Sequence, residues 1–94
     1  METPFPGKTM PTILLLNGWR FYFFADEGNE PAHIHCVKGD ARGKYWLNAE
    51  TFEVSEARSI GMNPADKRLV RKIIFNHFDY FLDEWNSFRE LKNG

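Results

Sequence analysis

Hydrophobic and polar positions along this chain follow a two-residue period in the first half and a three-to-four-residue period in the last third. The periods predict strands followed by a helix. Thr12 to Leu16 and Trp19 to Ala25 are β-branched and aromatic runs separated by Asn17-Gly18. That pair supplies the two positive φ values of a type I′ hairpin. The implied register sets Leu16 opposite Trp19 and Leu14 opposite Phe21 on one face, with Leu15 opposite Arg20 and Ile13 opposite Tyr22 on the other. Asp26 to Pro31 is acidic and rich in turn formers, and Pro31 restricts Glu30 to extended backbone. His33 to Lys38 and Lys44 to Asn48 read as a second hairpin with a longer turn, Gly39 to Gly43. Glu50 to Val54 predicts a short edge strand. Ser55 to Met62 reads as either a short helix or a loop ending at Gly61.

Asn63-Pro64-Ala65-Asp66 has the signature of a helix start: a capping side chain, a proline at the first helical position and an acid in the first turn. From there Leu69, Val70, Ile73, Ile74, Phe78, Phe81, Leu82, Trp85, Phe88 and Leu91 recur at spacings of three and four, which predicts one long helix. Its basic residues (Lys67, Arg68, Arg71, Lys72) precede its acidic ones (Asp79, Asp83, Glu84, Glu90), an order that opposes the dipole of a single helix. The expected fold is α+β, an antiparallel sheet of four to five strands with one face packed on a C-terminal helix from Pro64 to about Leu91. Residues 1–10, with Pro4, Pro6 and Gly7 and no periodicity, read as a flexible tail before a single domain over 11–94. Met10 offers an alternative start.

Strand alternation then sorts the side chains. Trp19, Phe21, Phe23, Ile34, Cys36, Tyr45 and Leu47 fall on the core side, leaving Arg20, Tyr22, His33, His35, Lys44 and Trp46 together on the other. The chemistry of the chain is concentrated there, around Glu30-Pro31-Ala32-His33-Ile34-His35. Two imidazoles beside Glu30, Lys44 and Arg20 suit general acid and base work on a phosphodiester. In that reading His33 and His35 exchange protons, Lys44 or Arg20 binds phosphate, and Glu30 orients an imidazole. Tyr22 and Trp46 could stack bases or contact a partner. The same His33 and His35 could instead give two ligands to a divalent metal, with Glu30 or His77 a third. The plainer reading is two hydrogen-bonded histidines and aromatics that cover apolar surface, the whole face docking a small partner without catalysis. Cys36 points away from the histidines and reads as a buried core thiol. His77, in phase with Ile73 and Phe81, reads as a satisfied boundary histidine.

Composition narrows these options. Ninety-four residues with 43% hydrophobic and 16% aromatic content make a folded single domain. The formal charge of −1 gives the chain as a whole no pull toward nucleic acid, so any such binding needs a local patch. A single cysteine excludes an intramolecular disulfide, and the lack of a secretory pattern points to the cytoplasm. The longest apolar run, Ile13 to Leu16, falls far short of the ~20 residues of a membrane-spanning helix. No motif calls for a cofactor.

One ordered series is more specific than any single motif: Met10-Pro11-Thr12-Ile13, Gly18-Trp19-Arg20-Phe21, Glu30-Pro31-Ala32-His33-Ile34-His35, Lys38-Gly39 and Lys44-Tyr45-Trp46-Leu47, then the closing helix through Phe81 and Trp85. From Met10 to about Leu91 it resembles the bacterial family called domain of unknown function 4160. The sequence departs from that pattern at Ala32, where members often carry a second proline, and in the nine residues before Met10. The resemblance implies a short bacterial protein often encoded beside a small protein of the domain of unknown function 2442 family, an arrangement similar to a toxin and antitoxin pair. It therefore implies a small protein partner from the same operon, with RNA as a possible target. Its motif falls on Pro31, His33 and His35 without naming a reaction.

Overall fold

The structure, a computed structural model, describes residues 12–24 and 30–93. The expected tail, residues 1–10, and most of the Asp26 to Pro31 loop lie outside the described residues. Five antiparallel strands form one sheet in the order of the sequence: β1 (Leu14–Leu16), β2 (Trp19–Tyr22), β3 (His33–Lys38), β4 (Ala41–Asn48) and β5 (Glu53–Ile60). Two helices follow, α1 (Pro64–Asn76) and α2 (Phe78–Asn93). The first hairpin has the register expected of it, with Leu16 opposite Trp19 and Leu14 opposite Phe21. Asn17 and Gly18 take φ values of 54° and 82° in its two-residue turn.

Three expectations need correction. The second hairpin turns on Gly39-Asp40 alone, because Lys38 pairs directly with Ala41, so Arg42 and Gly43 belong to β4 rather than to a longer turn. Ser55 to Ile60 is neither helix nor loop but the greater part of β5, and the strand begins at Glu53 rather than Glu50. Its pairing slips by one residue, Lys44 opposite Arg58 and then Tyr45 opposite Glu56, so Ala57 is the extra residue of a bulge. Finally, the single long helix is two. At His77 the backbone leaves helical geometry (φ −117°, ψ 25°), and the ring Nδ1 donates to the Ile73 carbonyl at 2.8 Å. Ile73 O is also the ordinary partner of the His77 N–H, so side chain and backbone share one acceptor where the helix stops. With the break in place, Asp79 lies in the first turn of α2, where an acid favours the dipole rather than opposing it.

The start of α1 is held as expected. Asn63 Oδ1 accepts from the Asp66 N–H at 2.7 Å, and Asp66 Oδ2 accepts from the Asn63 N–H at 3.3 Å. Both helices pack on one face of the sheet. Val70, Ile73 and Ile74 of α1 and Phe78, Phe81, Trp85 and Phe88 of α2 are buried with Trp19, Phe21, Phe23, Ile34, Cys36, Tyr45 and Leu47. The seven sheet residues assigned to the core by alternation are all in it. Phe21 meets Phe81 at 5.5 Å between centroids, and Phe23 meets Trp85 edge-on at 5.3 Å, so α2 lies across β2. No helix among the described residues is long and apolar enough to cross a membrane.

The core closes tightly around Gly43, directly opposite Cys36. A Cβ there would stand 2.9 Å from Met62 Sδ, 3.1 Å from Tyr45 Cε1 and 3.3 Å from Cys36 Sγ. Met62 could swing away, but the ring and the thiol are packed. Gly43→Ala is therefore expected to cost about 1–3 kcal/mol in urea unfolding, and less when combined with Met62→Ala, because the two sites share the contact. Burial also pushes the Cys36 thiol from its usual 9.0 up to about 12. The unfolded chain then loses this proton first, so the stability due to the neutral thiol is whole below pH 9 and is lost as pH rises toward 12. Between these values a Cys36→Ala variant is expected to show a shallower fall in urea midpoint with pH than the parent.

Candidate functional site

The face of the sheet turned away from the helices carries every residue the sequence placed there, in a layered arrangement. β3 enters from Pro31, and the His33 ring lies wholly inside, 0% exposed. Its Nδ1 donates to the Pro31 carbonyl at 2.8 Å; a carbonyl only accepts, so Nδ1 carries the proton. Around it stand Trp46 at 5.6 Å, His35 at 5.2 Å and, from α2, Trp85 at 4.7 Å between ring centroids. His33 thus joins the open face to the helix layer.

His35, 4% exposed, forms the next layer. Tyr22 stacks on it at 5.4 Å and 21°, as their pairing in register dictates, and Phe24 meets it edge-on at 4.5 Å. The two imidazoles stand nearly perpendicular, at 86°. Among the described residues no three of His, Cys, Asp and Glu come together as a metal-binding group.

Cations form the rim. Lys44 Nζ lies 2.6 Å from Glu30 Oε1 and over the Trp46 ring at 4.7 Å. Glu30 is therefore mainly the partner of Lys44; its Oε1 is 3.8 Å from His33 Nδ1. Arg20 lies over Tyr22 at 5.1 Å, and its Nε is buried without a hydrogen-bond partner among the described residues. Lys44 opposes His35 on one side and Arg58 on the other, while Arg42, two residues back on the same face, opposes Ile60. Arg42 and Arg58 are exposed, and neither forms an ion pair with a described residue.

Between these groups lies a depression of about 250 Å³ lined by Tyr22, Phe24, His35, Arg42, Lys44 and Arg58. Of the candidates named from sequence, it brings together His35, Lys44 and Tyr22. His33 lies beneath, Trp46 and Glu30 to the side, and Arg20 behind the Tyr22 ring. Phe24, Arg42 and Arg58 were missed. Arg42 had a signal in its two-residue spacing from Lys44, once the turn is limited to Gly39-Asp40. Arg58 had none, because the bulge at Ala57 sets which face it takes.

A protein-family model described as Domain of unknown function (DUF4160) matches residues 18–86, a span that holds every residue of this face named above. No curated protein and no solved structure matches the chain.

The burial of His33 separates its role from that of the rim. His33→Ala would leave a cavity beneath three rings and the Pro31 carbonyl without its donor. It is expected to lower stability by about 2–4 kcal/mol in urea unfolding, whereas Arg58→Ala, at an exposed position, should stay within about 0.5 kcal/mol of the parent.

Proposed function

The chain belongs to the family described as domain of unknown function (DUF4160), and on that footing we propose that it is a small module of toxin and antitoxin type that acts on RNA through the open face of its sheet. The observation that carries this reading is the depression beside His35, where Arg42 and Arg58 stand without ion-pair partners among the described residues, over an aromatic and imidazole floor. Charge and shape there suit a phosphodiester. Its anionic oxygens meet Arg42, Lys44 and Arg58, and a neighbouring base stacks on the half-buried Phe24 beside the edge of Tyr22. Arginine favours this ligand because its planar fork donates two parallel hydrogen bonds to phosphate.

His35 is the imidazole that faces such a ligand. As general base it takes the proton of a ribose 2′-hydroxyl; the freed oxygen attacks phosphorus, and the bond to the 5′-oxygen breaks as that oxygen takes a proton from water, which the His35 imidazolium replaces. The cations stabilise the charge that grows on the phosphoryl oxygens. His33, enclosed under the site, acts through His35 and is a positioning residue in this scheme. Lys44 has two partners to exchange, Glu30 and an incoming phosphate, so Glu30 sets how readily the lysine is released. A small protein from the same operon, as the family resemblance implies, would silence the module by covering this face.

The test is induced expression of the chain alone, with growth and RNA integrity followed beside an Arg42→Ala, Arg58→Ala variant. Parent cells are expected to arrest with cleaved RNA while variant cells grow with intact RNA. The salt dependence of RNA binding by the purified variant should flatten, its log–log slope falling by about 1.4 if each arginine neutralises one phosphate of a single strand. Normal growth and intact RNA with the parent would sink the RNA reading and leave the docking of a partner as the work of this face.

A further inference from the structure

Among the described residues the sheet ends in two strands that pair on one side only, β1 and β5. β1 has three residues and β5 has eight. In a long edge strand alternate N–H and C=O groups point outward, the template on which another strand pairs. From Glu53 to Glu56, before the bulge, β5 keeps a regular register with β4. No proline interrupts it.

α1 lies along this stretch. Lys67 Nζ reaches across to Glu56 Oε1 at 3.4 Å. An open groove of about 520 Å³ runs between Phe52 to Ser55 on one side and Arg71, Lys72 and Phe75 on the other, and it continues past Lys67 and Arg68. Arg68, Arg71 and Lys72 are exposed, and none makes an ion pair with a described residue. At one end Phe52 is 57% and Phe75 60% exposed. Phe52 also holds a left-handed backbone, φ 59°, a conformation that L residues seldom adopt.

We infer that this groove docks an extended acidic segment of a partner protein. The segment pairs with β5 as a sixth strand, sets its carboxylates against Arg68, Arg71 and Lys72, and rests an apolar side chain on Phe52 and Phe75. Charge alone would also admit nucleic acid. The backbone chooses between them: outward carbonyls of β5 repel phosphate, whereas a peptide answers both the N–H and the C=O groups of the edge. The helices cover the opposite face from the His35 depression, so this site is independent of the proposed action on RNA.

The probe is a blocked peptide of about eight residues alternating glutamate and valine, titrated into the isotope-labelled whole chain and followed by amide chemical shifts and hydrogen exchange. Shifts on β5 and α1, with new protection at alternate β5 amides, are expected. An Arg71→Glu, Lys72→Glu variant, altered only at exposed positions, should bind about tenfold more weakly or worse. A peptide N-methylated along its pairing edge should not bind, which separates strand pairing from charge attraction. Absence of binding, equal binding by the charge-reversed variant, or displacement of the peptide from β5 by oligouridylate would each overturn the inference.

Discussion

The hydrogen bond from His33 to the Pro31 carbonyl fixes the depth at which the open face sits on the core. Proline stiffens the entry to β3, and the bond locks a fully enclosed imidazole beneath His35, Trp46 and Trp85. A buried polar ring is tolerated only when its protons and lone pairs are met. Here one such contact ties three layers together: the loop before β3, the aromatic floor of the depression and the second helix. The two histidines consequently differ in kind. His33 is a strut shared by both faces of the sheet, and His35 is the surface it supports.

Net charge conceals how the cations are distributed. A formal charge of −1 balances a cationic rim on the open sheet face and a cationic flank on α1 against acids spread along the whole chain. Because the helix breaks at His77, Asp79 falls in the first turn of α2, where it favours the dipole, while Lys67 and Arg68 stay near the start of α1. The two cationic surfaces lie on opposite sides of the sheet and offer different company to an anion: aromatic rings and an imidazole on one side, a free strand edge on the other.

Much of this architecture was legible in the sequence, for reasons specific to each element. Asn17-Gly18 dictates its turn because few other pairs adopt two positive φ values, and the Asn63 cap announces itself through Pro64 and Asp66. Alternation in β2, β3 and β4 assigned the faces correctly because one side of each strand meets a helix. It failed at β5, an edge strand of which Val54 is the one buried residue and in which Ala57 shifts the phase. The break at His77 was invisible because α1 and α2 bury the same side and their apolar residues stay in step across it; the competing bond to Ile73 leaves no compositional mark. Face assignment also said nothing of depth. Alternation places His33 away from the core, and only the crowding by Trp46 and Trp85, residues distant in sequence, shows that it is enclosed.

The order of the strands has a consequence for how the molecule is made. Because each strand pairs with the one before it, the sheet can grow by successive hairpins as the chain leaves the ribosome, with no pairing that waits on a later segment. The helices that cover its apolar face come last, from Pro64 onward. Every nascent chain thus passes through a stage in which Phe21, Phe23, Ile34 and Tyr45 are gathered on a sheet with nothing over them, the kind of surface on which nascent chains aggregate or recruit chaperones. A message cut short before Pro64 would leave its product in that state.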